Sequence, residues 1–337
     1  MDEPSRKPTL KDVAALSGVS VISASRVMRD APNISPELRQ KVESAAREIG
    51  YQRNRIARSL RGQATDLVAV VVPSMSNNVF PNIVDGIGDA LSDTSLRLVL
   101  GMTKYVDRSE EAILRDMLTW NPASVILSGL EHSDATKEML SDFSGPIVEV
   151  MDVDGDVIDY AVGVSMDEAG CLIARHLADR GYRRIAYVGA WGERPKRSLK
   201  RRLAFESELK NLGVPLVGSF ILDEASSFNG GAIGTKSLLA QHPDIDAIFF
   251  ANDDLALGAL FYCQSQGIAV PGDIALAGYN GLEMCQSITP RLTTIVTPRY
   301  EMGRVAGELV KQQIRGEPPV QDRVIRMELE LVEGETT

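Results

Sequence analysis

From Leu67 onward the chain alternates short apolar runs with helical patterns, and this restricts its fold more than any other feature. LVAVVVP, LRLVLGMT, ASVILSG, PIVEVMD, RIAYVGA, AIFFAND and IALAGYN read as buried strands. NIVDGIGDAL, SEEAILRDMLTW, EAGCLIARHLADRG, RSLKRRLAFESEL and DLALGALFYCQSQG carry a helical period between them. Regular alternation of strand and helix points to parallel, doubly wound sheets, and so long a series suits two lobes better than one sheet. Ligands of such sheets lie outside the carboxyl ends of strands, which makes the residues just after each apolar run the candidates for a site.

The first 62 residues differ in charge. They hold twelve Lys/Arg against seven Asp/Glu, while the remainder holds 24 against 39, within a chain of formal net charge -10. A small basic module ahead of a large acidic one is the electrostatic footprint of nucleic-acid binding, although a solvated basic face would give it too. Thr9 and Asp12 have the spacing of a helix start, predicting a helix over about 10–16 that Gly18 ends. Ser20 then caps a second helix over 21–29, and Ser35-Pro36-Glu37 opens a third that runs to Gly50. In the second helix Ala24, Val27 and Met28 form one stripe, and Ile22, Ser25, Arg26 and Arg29 form the opposite one. An apolar residue among arginines on an outward face suits a major groove, where Ile22 can meet a thymine methyl and Arg26 can grip guanine O6 and N7. The bland alternative is that Ile22 packs on a neighbouring domain. YQRNRIARSLRGQ follows, too short for a stable isolated helix, with four arginines around Leu60. It fits either a segment that folds on DNA or a plain linker.

Other classes find little support. The N-terminus MDEPSRKPTLKD lacks a signal peptide's apolar region, and no run of eighteen apolar residues occurs, so membrane association is not expected. Cys171, Cys263 and Cys285 are odd in number and scattered, which fits a reducing cytoplasm. His132, His176 and His242 are isolated, without metal-ligand spacing. Gly86-Ile87-Gly88 lies inside an amphipathic helix, not at a dinucleotide-binding turn. With no nucleophile or phosphate-loop motif either, neither catalysis nor a cofactor or metal is expected.

The segment TLKDVAALSGVSVISASRVMRDAPNISPELRQKVESAAREIGYQRNRIARSLRGQ resembles the DNA-binding headpiece and hinge of the LacI family of bacterial transcription regulators. The resemblance implies an all-α helix-turn-helix headpiece over 1–52, with Thr9, Ser20, Val21, Ile22, Ser25, Arg26 and Arg29 at the DNA. It implies a hinge over 53–64, with Asn54, Arg55, Ala57 and the minor-groove lever Leu60. Val21 and Ile22 would be the operator-discriminating pair. Residues 65–337 look like the family's periplasmic-binding-protein-like core, an α/β fold of two doubly wound lobes. The first lobe would take about 65–164 and 296–320, the second about 165–295 and 321–333.

In the core PSMSNNVFPNIVDGI resembles the family's first strand-loop-helix, which implies Asn78 and Phe80 at the cleft; VMD ends a later strand on Asp152, and RRLAF matches the family's R-x-x-G-F pattern with Ala204 for Gly, which implies Arg201 as the effector-gripping arginine. ANDDLALGAL carries Asn252 and Asp253, AGYNGLEMCQSITPRLTTI has Asn280 where sugar binders of the family keep Asp, and Phe228 sits where an aromatic stacks on ligand. A carboxylate repels an anionic ligand, so Asn280, with positive charge concentrated in GERPKRSLKRRLAF, favours a sugar acid over a neutral sugar. Several cations of that segment read as the solvated face of a helix, and only Arg201 is singled out. NNVFPNIVDGI, MLTWN, IVEVMD, DYAVGV, NDDLALGALFYCQ and TPRLTTIVTPRYEMG resemble the gluconate-operon repressors within the family, implying gluconate or a related aldonate as effector. The expected partners are thus a pseudo-palindromic double-stranded operator, this effector and a second copy of the chain. RVIRMELELVEG reads as a last strand with no heptads after it, and so with no sign of a tetramerisation tail. A family regulator answering to a neutral sugar, and a solute sensor with a protein partner, stay open.

Overall fold

The computed structural model of the chain describes residues 8–28, 31, 33–51, 64–75, 79–192, 196–318 and 322–337. Two compact units divide it, Met1–Thr65 and Asp66–Thr337. The first unit holds three helices, α1 (Leu10–Ser17), α2 (Val21–Val27) and α3 (Pro36–Glu48). Local chemistry sets each end. Gly18 takes φ +62° beyond α1, and its N–H returns to the Ala15 carbonyl while that of Val19 reaches Ala14. Ser35 caps α3 by accepting from Leu38 N–H (3.3 Å), with Pro36 in the first turn. Val13, Ala14, Ala24, Val27, Val42 and Ala45 meet in a small core that the half-buried Leu10, Leu38 and Tyr51 close.

The second unit contains two six-stranded sheets. The first is formed by β1 (Leu67–Val72), β2 (Arg97–Met102), β3 (Ser124–Ser128), β4 (Ile147–Asp152), β5 (Tyr160–Val164) and β11 (Val324–Arg326), in the order β11-β5-β4-β3-β1-β2. The second takes β6 (Ile185–Gly189), β7 (Gly218–Ile221), β8 (Ala247–Phe250), β9 (Ala275–Asn280), β10 (Thr293–Val296) and β12 (Glu330–Val332), in the order β12-β10-β9-β8-β6-β7. All pairs are parallel except β10 with β12. The helices are α4 (Val79–Ala90), α5 (Asp107–Leu118), α6 (Asp134–Ser141), α7 (Met166–Asp179), α8 (Lys196–Asn211), α9 (Phe228–Gln241), α10 (Asp253–Gln266), α11 (Met284–Ser287) and α12 (Arg299–Ile314).

The chain crosses between sheets after β5, after β10 and after β11. The last crossing corrects the expected lobe division. Residues 321–333 do not all belong to the second lobe, because Val324–Arg326 pairs with β5 before Glu330–Val332 pairs with β10. RVIRMELELVEG reads as one strand because its apolar alternation runs on unbroken, whereas Met327–Leu329 carries the chain across. The final residues are knitted into the second sheet, where Thr336 accepts at its carbonyl from Leu276 N–H and at its hydroxyl from Thr293 N–H, both 2.9 Å.

Helix packing relies on backbone clearance where helices approach closely. Gly86 of α4 and Gly303 of α12 face each other's helices, and a Cβ at either would collide with the carbonyl of Tyr300 or of Ile83. Gly170 of α7 does the same against Arg201 of α8, and its missing Cβ also leaves room for the Ala204 methyl that replaces the expected glycine.

Candidate functional sites: an exposed helix face and an interlobe cleft

Within the first unit the faces of α2 lie as its spacing dictates. Ala24 and Val27 are buried, while Ile22 is 74% exposed and Val21 and Arg26 are also exposed, with Ser25 half-buried beside them. The Ser20 hydroxyl accepts from Ser23 N–H at 3.0 Å and fixes where the helix begins. Thr9 behaves differently from a simple cap, because its hydroxyl and its N–H both donate to Asp12 Oδ2 at 2.7 Å. The acid satisfies the helix start and the hydroxyl is spent on it. Arg29, Asn54, Arg55, Ala57 and Leu60 lie outside the described residues, as does Asn78 of the core.

In the second unit a cleft of about 460 Å³ opens at the carboxyl ends of both sheets. Of the effector residues expected from sequence it gathers Phe80, Arg201, Asn252 and Asn280. Arg201 is 4% exposed, with its guanidinium carbon 3.6 Å from the centre of the Tyr279 ring. Its Nη2 donates to the Ala251 carbonyl at 2.8 Å, its Nη1 contacts Met166 Sδ at 3.5 Å, and its Nε is buried without a partner. Asn280 Nδ2 donates to Asn252 Oδ1 at 3.0 Å, and Asn252 Nδ2 donates to Ser226 Oγ at 3.1 Å, so two neutral amides form one wall.

Three residues expected at the site, Asp152, Asp253 and Phe228, are not among the lining. Asp152 is fully buried but turned to Lys200, with Nζ 2.7 Å from its Oδ2. Asp253 is fully buried beneath the wall, accepting from Thr294 Oγ1 (2.6 Å) and Leu282 N–H (2.8 Å). Burial raises its pKa, against the opposing effect of those hydrogen bonds. Phe228 is 45% exposed and packs on Phe261, ring centres 6.1 Å apart.

Sequence reasoning missed Tyr105, Met151, Trp191, Arg197 and Tyr279, all of which line the cleft. Tyr105 and Trp191 approach across it from the two lobes, ring centres 4.6 Å apart. Three of these residues share a backbone signal with Asn280. Tyr105, Met151, Trp191 and Asn280 all have positive φ (58°, 87°, 67° and 118°), which costs a non-glycine residue on the order of 1–3 kcal/mol. Strain concentrated around one void is what a preorganised binding site shows, and no residue alphabet reveals it. Arg197 was grouped with the solvated cations of α8, yet its Nη1 donates to Ser128 Oγ at 3.1 Å and its guanidinium lies 5.8 Å over the Phe80 ring. Among the described residues no cluster of metal-ligating side chains occurs, and no helix is long and apolar enough to cross a membrane.

A helix-turn-helix unit with an outward Ile-Arg face, carried on the same chain as a two-lobed receptor with a strained interlobe cleft, defines the class of DNA-binding transcriptional regulators that carry a ligand-binding fold. Comparison with known proteins agrees. Residues 9–54 match the pattern of bacterial regulatory proteins of the lacI family, and residues 174–337 match that of a periplasmic binding protein-like domain. The HTH-type transcriptional regulator GntR of Pseudomonas aeruginosa is 38% identical over 333 residues, spanning 98% of this chain and 96% of its own length. The regulator of the same name from Escherichia coli K12 is 34% identical over 313 residues, 93% of each chain. A crystal structure of a LacI-family transcriptional regulator from Silicibacter pomeroyi superposes with a TM-score of 0.92 at 39% identity, covering 98% of this chain and 99% of the other. The protein belongs to the lacI family of bacterial transcriptional regulators.

Proposed function

We propose that the protein is a cytoplasmic, homodimeric repressor of sugar-acid catabolic genes of the gluconate type. It binds a pseudo-palindromic operator with one α2 per half-site, and a small carbohydrate acid entering the interlobe cleft releases it. One observation supports the effector class above the others. The described residues lining the cleft include Arg197 and Arg201 and no acid, because Asn252 and Asn280 supply neutral amides where a carboxylate would repel an anion. The likeness of NNVFPNIVDGI and TPRLTTIVTPRYEMG to gluconate-operon repressors supports gluconate or a close aldonate within that class. Release follows if the effector favours a lobe arrangement that the DNA-bound dimer disfavours.

Calorimetry with gluconate against glucose tests the effector, and tighter binding of the neutral hexose would overturn the reading. Mobility shift tests the DNA function. Arg26→Ala should cost about 1–3 kcal/mol of operator affinity and relax one base position, and the complex should weaken steeply with salt. A complex indifferent to salt and to Arg26 would leave a solute sensor with a protein partner as the better account.

A further inference from the structure

We propose that Arg197 is the specificity-determining residue of the cleft, the group that meets the effector's carboxylate, while Arg201 serves its hydroxyls. The inference rests on the reading of the cleft as a sugar-acid site and assigns the charge selection to one side chain.

Arg197 and Arg201 are one helical turn apart on α8, so both reach the cleft, but their surroundings differ. Arg201 is pinned. Its plane rests on Tyr279, one terminal nitrogen is engaged by the Ala251 carbonyl and the other by Met166, and it is almost fully buried. Such a group is a fixed donor to ligand oxygens. Arg197 is half-buried, and its contacts among the described residues are a neutral hydroxyl, Ser128 Oγ, and the face of Phe80. Neither is a counterion. The next cation on that face, Lys200, is already neutralised by Asp152 and Glu131. Among the described residues Arg197 is therefore the cation lining the cleft that lacks both a carboxylate and a buried cradle, and a ligand carboxylate would complete it through a charge-assisted, two-pronged hydrogen bond.

The neighbourhood also fixes the ligand's direction. A second void of about 520 Å³ adjoins the cleft and shares Tyr105 and Arg197 with it, and its other charged lining residues are Glu110, Glu131 and Lys196. That void offers two acids beside Lys196, whereas the described lining of the cleft offers no acid, so the carboxylate is met at Arg197 and the polyol chain lies back along Trp191, Asn252 and Asn280. Clearance for the guanidinium comes from Gly129, at φ +95°, where a Cβ would stand 2.9 Å from Arg197 Nη1.

The test is calorimetry on the full chain with gluconate and with glucitol, the same carbon chain bearing a hydroxymethyl in place of the carboxylate. The wild type should prefer gluconate by roughly 30-fold or more, about 2 kcal/mol. Arg197→Gln should abolish most of that preference by weakening gluconate while changing glucitol less than about threefold. Arg197→Lys, which keeps the charge but not the fork, should restore part of it. Arg201→Gln should weaken both ligands alike. Retention of the wild-type preference by Arg197→Gln, whether both affinities hold or fall together, overturns the assignment of Arg197 and leaves the sugar-acid reading standing. A wild type with no preference for gluconate overturns both.

Discussion

At the scale of single residues the cleft is set by what is not charged. Asn280 donates its amide to Asn252 and its backbone carbonyl accepts from Arg299 Nη1, so Asn280→Asp changes the wall's charge while the backbone tie persists. A carboxylate there should lower gluconate affinity about tenfold or more and leave glucitol unharmed, as calorimetry would read directly. A second residue gives a pH signature. His132 is buried with Nδ1 2.8 Å from Glu110 Oε1, and its Nε2 lies between the Gly129 carbonyl (3.0 Å) and Glu149 Oε1 (3.2 Å). The imidazole is thus held between two carboxylates, with the Gly129 carbonyl also within hydrogen-bond reach of Nε2. Burial alone would pull the imidazole pKa down, but Glu110 and then Glu149 outweigh it and raise it to about 9. A pKa raised by folding means stabilisation that is complete below about pH 6.5 and lost as pH rises through about 9. The buried Cys263 thiol, pushed up to about 11, acts in the same direction only above the ordinary thiol range, and His176, lowered by burial, is neutral throughout this window. Between pH 7 and 9 the melting temperature of the wild type should therefore fall roughly 5 °C more than that of His132→Gln. Parallel curves for the two proteins would remove the charge from His132.

At the scale of elements, packing in the first lobe depends on α4 lying against α12 across Gly86 and Gly303. Gly303→Leu puts a side chain where the Ile83 backbone stands and should destabilise the core by about 1–3 kcal/mol, measured by denaturant unfolding, while Gly88→Ala, whose Cβ would meet nothing nearer than Leu98 at 3.9 Å, should be close to neutral. Gly86 and Gly88 look alike in the sequence, and only the partner helix tells them apart. The same logic explains what could be read in advance. The central strands β1, β3, β4, β6, β8 and β9 were legible as unbroken apolar runs because both faces are covered, and α1 to α3 were legible because their caps are local. β7, only four residues with a partly exposed pattern at the sheet edge, was not, and β11, three residues, was legible only as part of one longer strand. α9, FNGGAIGTKSLLAQ, hides its helicity behind three glycines, of which Gly231 abuts the Leu255 carbonyl of α10 and Gly234 faces Val188 and Phe220 of the sheet, while Gly258 of α10 abuts the Phe228 carbonyl in return. Among the expected site residues, Phe80, Arg201, Asn252 and Asn280 do line the cleft, and they were legible because they follow strands or fit the family's pattern. Arg197 was not, because helical spacing alone cannot distinguish a solvated cation from one aimed across a cleft at Ser128.

At the scale of the whole receptor the question is what holds the two sheets together when the cleft is closed. Lys200 belongs to α8 of the second lobe, yet its ammonium sits 2.7 Å from both Asp152 Oδ2 and the Asp154 carbonyl and also pairs with Glu131, all from the first lobe. Asp152 is fully buried, so the pair is screened little, and losing one member leaves an uncompensated charge rather than a solvated one. Lys200→Met should therefore disfavour the closed arrangement without touching the ligand, since Lys200 does not line the cleft. Apparent affinity falls by the fraction of molecules that remain competent, and this factor is the same for every ligand. Gluconate and glucitol should both weaken, by about tenfold, and small-angle scattering of the ligand-free chain should report a larger radius of gyration. Adding Asp152→Asn removes the orphaned charge and should recover part of the loss, which separates a broken clasp from a damaged fold. A loss confined to gluconate would instead mean that Lys200 acts on the ligand's charge, and the lobes would then be held closed by the Tyr105–Trp191 and Arg197–Ser128 contacts without it.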